Sequence, residues 1–167
     1  MPKIIANAKE QIIREAKKQV LELGYESTTI RSVAAGCGIA VGTVYNYFPS
    51  KDMLIASFIL SDWMECLDAI KSYPKEDTRD FLSFIYLSLL RFSKKYDPIF
   101  KNPEAEKSFS RVFSERHKQI RDQLSDLIMP ITSDKFTAEY VAEAMICWTM
   151  ASKSFDDIYE LLPERIK

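Results

Sequence analysis

The chain has 167 residues, 47% of them hydrophobic, which is enough apolar material for one compact unit or for a small domain joined to a larger one. The formal net charge is −1, but residues 1–51 carry seven Lys or Arg against four Glu, so the amino-terminal part is basic. The longest apolar stretches fall far short of the roughly 18 residues of a membrane helix, and no signal-peptide core is present, so we expect a cytoplasmic protein without membrane contact.

A first helix is predicted before Gly24, because apolar residues recur every three or four positions with charged residues between them. We expect this helix to pack on the segment that follows and to end at the glycine. The apolar positions are Ile5, Ala8, Ile12, Ala16, Val20 and Leu23.

A second, short helix is predicted to begin at Ile30, because four small or apolar side chains lie on one face at helical spacing. These residues are Ile30, Val33, Ala34 and Cys37. Gly38 comes next, and glycine can end a helix in the left-handed conformation without a Cβ clash. We therefore predict a tight turn after this helix rather than a linker.

A third helix is predicted from Val41 to Phe48, with Val44 and Phe48 pointing inward. Pro49 must end it, since proline lacks an N–H and disfavours helical geometry in the preceding residue. Ser50 is then the predicted cap of a fourth helix. The outward residues of the third helix are unusually polar and aromatic: Thr43, Tyr45, Asn46 and Tyr47.

Two short helices joined by a turn that contains glycine match the helix-turn-helix arrangement that reads DNA, and a polar, aromatic second helix suits that role. The same pattern also occurs in ordinary helical hairpins, whose tyrosines pack on a neighbouring element. The turn alone leaves both interpretations open.

A longer stretch of sequence favours the first interpretation. Residues 28–31, Thr-Thr-Ile-Arg, and residues 42–51, Gly-Thr-Val-Tyr-Asn-Tyr-Phe-Pro-Ser-Lys, resemble the TetR (tetracycline-repressor-like) transcriptional regulators. The resemblance covers about the first third of the chain. It implies a three-helix DNA-binding domain over residues 1–49 and a helical ligand-binding and dimerisation domain over residues 50–167.

The resemblance also implies roles for single residues in binding a double-stranded DNA operator. Arg31 would reach a base edge or a phosphate, and Gly42 would let the backbone approach a phosphate. Asn46 and Tyr47 occupy positions that usually face base edges. Phosphate contacts are expected from Thr43, Tyr45 and Lys51. The full predicted set is Thr29, Arg31, Val41, Gly42, Thr43, Tyr45, Asn46, Tyr47 and Lys51.

Two residues depart from the family pattern at the start of the third helix. Ala40 stands where a Ser cap is usual, which costs about 1 kcal/mol. Val41 stands where Lys is frequent, so we expect fewer ionic contacts, a shallower salt dependence and apolar contact with a thymine methyl group.

Helical periodicity continues to the end of the chain without strand alternation or internal repeats, so we predict an all-α fold. We expect Asp97-Pro98 to stop one helix, and Asn102 and Thr137 to cap two others. The predicted helices cover residues 51–72, 78–96, 103–128, 138–153 and, as a short element, 156–162.

This helical remainder is rich in aromatic and methionine side chains, most of which must form a core. The same residues can enclose a small apolar ligand, because ligand sites are mostly apolar and methionine adapts to varied shapes. The resemblance favours a pocket for a small-molecule effector, and no cofactor is expected. The predicted lining is Trp63, Phe84, Leu87, Phe113, Met145 and Trp148.

The segment from Val141 to Ala151 is too apolar for a helix with a wholly solvated face. The resemblance implies that it packs with the 103–128 helix against the same pair of a second chain, as a four-helix homodimer interface. A dimer would place two reading helices about 34 Å apart, at successive major grooves. Because the chain ends at Lys167, earlier than most of the family, we expect a reduced final helix or a differently assembled interface.

Catalysis and metal binding are not predicted. His117 is the only histidine, and its neighbours at helical spacing include no carboxylate to orient it, so we expect a surface histidine. No phosphate loop, nucleophile elbow or metal motif is present. The cysteines are isolated in sequence and are interpreted as reduced packing residues: Cys37, Cys66 and Cys147.

The sequence thus predicts a homodimeric, ligand-responsive repressor of a palindromic operator. The alternative is a protein of the same fold with a filled core and no effector, acting as a co-activator or architectural factor through a protein partner. A small helical enzyme would require a polar pocket lined by clustered ionisable groups.

Overall fold

The computed structural model describes residues 7–132 and 134–166, and within these ranges every side chain except those of residues 108–116 and 165. All regular secondary structure of the described residues is helical, which confirms the predicted all-α fold. Ile5 of the predicted first helix lies outside them. The α-helices are α1 (Ala8–Leu23), α2 (Ile30–Cys37), α3 (Val41–Tyr47), α4 (Lys51–Ser72), α5 (Thr78–Phe100), α6 (Pro103–Ile128), α7 (Lys135–Met150) and α8 (Phe155–Glu160), with 3-10 helices at Met129–Ile131 and Glu164–Ile166. In this part of the chain no helix is both long and apolar enough to cross a membrane.

The chain folds into two compact units. The first unit comprises Met1–Asp62 and Lys95–Ser110, and the second comprises Trp63–Lys94 and Arg111–Lys167. Helices α4, α5 and α6 therefore each supply residues to both units. The predicted domain boundary, between residues 49 and 50, falls just before α4.

The core of the first unit is built from the faces that the apolar spacing predicted, except that Leu23 at the end of α1 is 60% exposed. The side chains of Ile12, Val33 and Val44, one from each of the first three helices, are completely buried. Each large apolar side chain stabilises the fold by about 1.5–3 kcal/mol when buried, which supports helices too short to form alone. The buried apolar set is Ala8, Ile12, Ala16, Val20, Tyr25, Ile30, Val33, Ala34, Val44, Phe48, Leu54, Ile55, Phe58, Tyr96, Ile99 and Ala105.

The second unit has its own apolar core, drawn from α4 to α8 and from the residues that follow α8. It explains why this part of the sequence is rich in aromatic and aliphatic residues, since most of them pack on each other. The buried members are Trp63, Leu67, Ile70, Phe81, Leu82, Ile85, Leu89, Leu124, Ile128, Ala138, Val141, Ala142, Met145, Ile146, Ile158, Tyr159, Leu162 and Ile166.

Helix α5 continues through Pro98 to Phe100, so the prediction that it stops before Asp97 was wrong. Proline removes one helical hydrogen bond, but the extra turn buries Ile99 completely. The helical pattern of backbone hydrogen bonds also resumes after Pro98: the Lys101 amide donates to the Asp97 carbonyl at 3.0 Å.

Helix α7 begins at Lys135 and ends at Met150, earlier than predicted at both ends. Its cap is Asp134, not Thr137: the Asp134 carboxylate accepts from the Thr137 amide at 2.9 Å and from the Thr137 hydroxyl at 2.7 Å. A carboxylate is the stronger acceptor near the positive end of a helix, which explains the shift. The predicted Asn102 cap of α6 is confirmed, since its Oδ1 accepts from the Glu104 and Ala105 amides.

Candidate nucleic-acid interface

Polar contacts hold α2 against α1. The Gln19 amide donates to the Ser32 carbonyl at 3.1 Å, and the Ser32 hydroxyl donates back to Gln19 Oε1 at 2.6 Å. The two helices approach closely at Gly36, where a Cβ atom would lie 2.3 Å from Glu15 Oε1. Any larger residue at this position must displace the Glu15 side chain.

The turn between α2 and α3 has the geometry that the sequence predicted. Gly38 is left-handed, with φ 65°, and its amide and that of Ile39 donate to carbonyls in the last turn of α2. At the other end of α2, Thr29 forms a capping box with Ser32. The short α2 helix is therefore fixed at both ends, and so is the direction in which α3 leaves it.

Helix α3 presents most of its surface to solvent. Val44 alone among its residues is buried, whereas Tyr45 is 51% exposed and Tyr47 is 44% exposed. Asn46 lies between them and is exposed as well. No side chain caps the helix at Ala40, as expected from the sequence. These two tyrosines and the asparagine form no side-chain hydrogen bond within the part of the chain that the structure describes, so their polar groups are available to a ligand.

The remaining predicted DNA contacts are distributed around this helix. Thr29 and Arg31, at the start of α2, are exposed, and so is Gly42. Val41 and Thr43, in the first turn of α3, are half-buried. These positions are open to a ligand, and their contacts with DNA stay a prediction.

Lys51 lies at the start of α4 and is held by Tyr25. Its ammonium donates to the Tyr25 carbonyl at 2.8 Å and lies 3.7 Å from the centre of the Tyr25 ring. The Tyr25 hydroxyl in turn donates to Asp52 at 2.5 Å. Burial lowers the pKa of the Lys51 amine, against the opposing effect of nearby carboxylates such as Asp52. Sequence reasoning missed Tyr25, because helical periodicity does not show which loop residue will meet the start of α4.

A buried carboxylate joins three helices of the first unit. Asp62 on α4 is 9% exposed and binds the ammonium groups of Lys17 on α1, at 2.5 Å, and of Lys95 on α5. The Tyr96 hydroxyl, also on α5, donates to the same carboxylate at 2.6 Å. Burial raises the pKa of Asp62, but the three hydrogen bonds outweigh it, so that the pKa lies below its ordinary value.

The predicted pocket residues occupy different environments in the second unit. Met145 is fully buried, and Trp63 is buried with its indole N–H donating to Gln123 at 2.9 Å. Phe84 is half-buried and stacks on Tyr73, with ring centres 3.9 Å apart. Leu87 is exposed, and the Phe113 side chain lies outside the described residues.

Trp148, the last of the predicted pocket residues, is on the surface. It lines an open groove of about 390 Å³ together with residues of the final turns of the chain. The other lining residues are Lys153, Asp157, Ile158 and Leu161. The predicted pocket lining is thus divided between core and surface, and the effector pocket stays a prediction.

His117 has the carboxylate neighbour that the sequence spacing did not provide. Its Nε2 lies 2.9 Å from Glu143 Oε1 on α7, and the Cys147 thiol donates to the same oxygen at 3.1 Å. Burial and the bond to Glu143 raise the pKa of Cys147 to about 11. Cys147 is exposed, so its interpretation as a packing residue was wrong, whereas Cys37 and Cys66 are half-buried. The spacing of residues within one helix does not show which residues of a second helix they will contact.

Comparison with known proteins agrees with this architecture. Residues 12–58, which contain α2, α3 and their turn, match the model of the family described as bacterial regulatory proteins, tetR family. This segment belongs to the TetR family. The match includes the helix that exposes Tyr45, Asn46 and Tyr47, and the TetR-like structures similar to this chain are all-α with an amino-terminal helix-turn-helix.

Two curated HTH-type transcriptional regulators illustrate the range of similarity. The repressor KstR of Rhodococcus jostii is 29% identical over 94 residues, which are 52% of this chain and 44% of KstR. The uncharacterized regulator YerO of Bacillus subtilis is 30% identical over 135 residues, 70% of this chain and 45% of YerO. The matched regions span less than half of these relatives.

Two solved structures share the fold. The fatty acid degradation regulator FadR of Bacillus halodurans superposes with a TM-score of 0.59 at 21% identity, covering 92% of this chain and 93% of FadR. Thermus thermophilus FadR, solved with lauroyl-CoA, gives a TM-score of 0.57 at 15% identity, covering 95% of both chains. At these identities the likeness concerns the fold alone.

Proposed function

We propose that this TetR-family chain is a transcriptional repressor that binds a palindromic operator as a homodimer and releases it when a small apolar effector binds. The observation that carries the DNA-binding step is the surface of α3, where one buried residue, Val44, supports the exposed side chains of Tyr45, Asn46 and Tyr47. A helix of this kind fits the major groove, where an asparagine can pair with the edge of adenine.

The dimer is supported by an exposed apolar row on α7. Phe136, Tyr140, Cys147 and Met150 are all exposed, and with Glu143 they follow each other at intervals of four and three residues. This is the spacing of a helix that packs along another helix. Phe136 is 73% exposed, which is unfavourable for a phenylalanine in water and is relieved by a second copy of the same surface.

Regulation by an effector would use α4. This helix begins at Lys51, beside the reading helices, and continues without a break to Ser72, where Leu67 and Ile70 belong to the core of the second unit. A ligand that repacked this core would shift α4, and ligand and DNA would then compete through one coupling free energy. Because Thermus thermophilus FadR was solved with lauroyl-CoA, acyl thioesters are the first effector class to test.

The test is a random-sequence selection with the purified protein, followed by footprinting of the recovered sites and of the DNA upstream of its own gene. We expect a symmetric protected site in both. Asn46→Ala should weaken binding to this site by about 1–3 kcal/mol. The sequence preference should be lost mainly at the one base pair that Asn46 contacts. Ser61→Ala, at an exposed position on α4, is the control. Failure of both experiments to yield a symmetric site would refute the proposal.

The effector is tested separately, by titrating acyl-CoA of increasing chain length into the protein–operator complex. Release of the operator supports the ligand-responsive form of the proposal. Unaltered operator affinity with every apolar ligand tried favours the alternative, a DNA-binding protein of the same fold that acts through a protein partner.

A further inference from the structure

Three side chains with metal-binding atoms converge on the surface of the second unit. His117 comes from α6, and Glu143 and Cys147 come from α7, one helical turn apart on the same face. The imidazole nitrogen lies 2.9 and 3.1 Å from the two carboxylate oxygens, and the sulfur lies 3.1 Å from one of them. All three ligand atoms fall within 4.8 Å of each other.

These distances suit a common metal centre. In a tetrahedral zinc site with bonds of about 2.0–2.3 Å, ligand atoms are separated by about 3.3–3.8 Å, so small side-chain rotations would bring the three groups into place. Imidazole, carboxylate and thiolate together favour zinc and neighbouring transition metals over magnesium or calcium, which prefer oxygen alone.

We propose that His117, Glu143 and Cys147 form a binding site for a divalent transition-metal ion, with zinc as the reference ion. Binding replaces the hydrogen bonds within the cluster by three bonds to the metal. The Cys147 thiol and His117 Nε2 each release to solvent the proton that they share with Glu143, and the imidazole stays neutral with its proton on Nδ1. The carboxylate and the thiolate then balance the charge of the ion.

The surroundings of the cluster are compatible with an ion that enters from solvent. In the single chain the side chains of His117 and Glu143 are 43% and 40% exposed, and Cys147 is exposed too, so a fourth position is open to water there. Arg121, one turn after His117 on α6, has a buried Nε without a hydrogen-bond partner among the described residues. A carboxylate oxygen that turns outward from the metal is a suitable acceptor for it.

The test uses the full chain, reduced and stripped of metal with a chelator. Calorimetric titration with zinc chloride should show one ion per chain. Cobalt(II) should give the near-ultraviolet absorption band of a cobalt–thiolate bond, which identifies sulfur as a ligand directly. Neither readout involves DNA, so the result does not depend on operator binding. Because Glu143 and Cys147 also lie in the α7 row proposed as the dimer surface, both titrations are repeated on Phe136→Glu, the variant designed to be monomeric.

Variants decide whether these three residues hold the ion. Cys147→Ser should abolish the cobalt–thiolate band, and both Cys147→Ser and Glu143→Gln should weaken zinc binding at least tenfold. Cys37→Ser, at a half-buried thiol of the first unit, should change neither and is the matched control. If circular dichroism shows one variant to be unfolded, the other and His117→Gln decide. Absence of the band in the unmodified chain, or equal zinc affinity in folded variants, would overturn the proposal.

Discussion

The Tyr96 hydroxyl on α5 donates a hydrogen bond to the Asp62 carboxylate on α4 across 2.6 Å, and both residues are buried. The same carboxylate binds Lys17 from α1 and Lys95 from α5. Three helices of the first unit thus meet at one negative charge. Because a buried charge that loses a partner is left unsatisfied, the first unit should be sensitive to any change in this cluster.

Tyr96→Phe should destabilise the protein by about 1.5–3 kcal/mol, the range for hydrogen bonds to charged groups. The phenyl ring keeps the packing of Tyr96 against Phe58, so the loss reports the hydroxyl alone. Tyr73→Phe is the control, since that hydroxyl bonds an exposed Asp80. Urea unfolding curves give the free energy of unfolding of both variants. Equal losses would show that burial of the Asp62 cluster does not strengthen its hydrogen bond with Tyr96.

The contribution of Asp62 to the free energy of unfolding should decrease as the pH is lowered. Because the pKa of Asp62 is held below its ordinary value of 3.8, the carboxylate stabilises the folded state fully above that pH. This contribution is lost as the pH falls through the folded-state pKa. The stability difference between the unmodified chain and Asp62→Asn should therefore shrink under acid conditions, as measured by urea unfolding across the range. A constant difference would contradict the assignment.

Lys51→Ala should reduce the salt dependence of operator binding, because each phosphate contact contributes about 0.9 to the slope of log affinity against log salt. Lys71→Ala, in the last turn of the same helix, should leave the slope unchanged. Fluorescence anisotropy with labelled operator DNA at several salt concentrations gives both slopes. Equal slopes for Lys51→Ala and the unmodified chain would exclude a phosphate contact.

Phe136→Glu should dissociate the proposed dimer, because it places a charge at the first and most exposed apolar position of the α7 row that a second copy would bury. Leu23→Glu introduces the same charge at an apolar residue of α1 that is 60% exposed, and it should leave the dimer intact. Sedimentation velocity distinguishes the two states. A dimer that survives Phe136→Glu would mean that α7 is not the interface.

Local patterns predicted the helix-turn-helix well. Glycine at position 38, proline at 49 and serine at 50 each act on adjacent backbone, and Gly38 adopts the left-handed conformation while Ser50 Oγ accepts from the Met53 amide at 3.2 Å. The solvent exposure of Tyr45 also followed from spacing alone. These features depend on a few neighbouring residues, so the sequence contains all the information they need.

Features that depend on distant residues were not predictable. Asp62 finds partners 45 positions earlier and 33 and 34 positions later, and His117 meets Glu143 26 positions away. Periodicity within one helix indicates which face is buried, but not which residue of another helix lies opposite. For the same reason, burial of Ile99 carried α5 through Pro98 against the local rule.

The contact of Lys51 with Tyr25 has an entropic consequence for affinity. A lysine loses about 1.5–2 kcal/mol of side-chain entropy when it is immobilised. In this chain the carbonyl and the ring of Tyr25 already restrict that side chain in the free protein, while the ammonium has three N–H groups and donates only one of them to the carbonyl. In the proposed complex, a phosphate would bind a lysine whose side-chain entropy was already lost on folding. This contact would therefore carry little additional entropy cost on association.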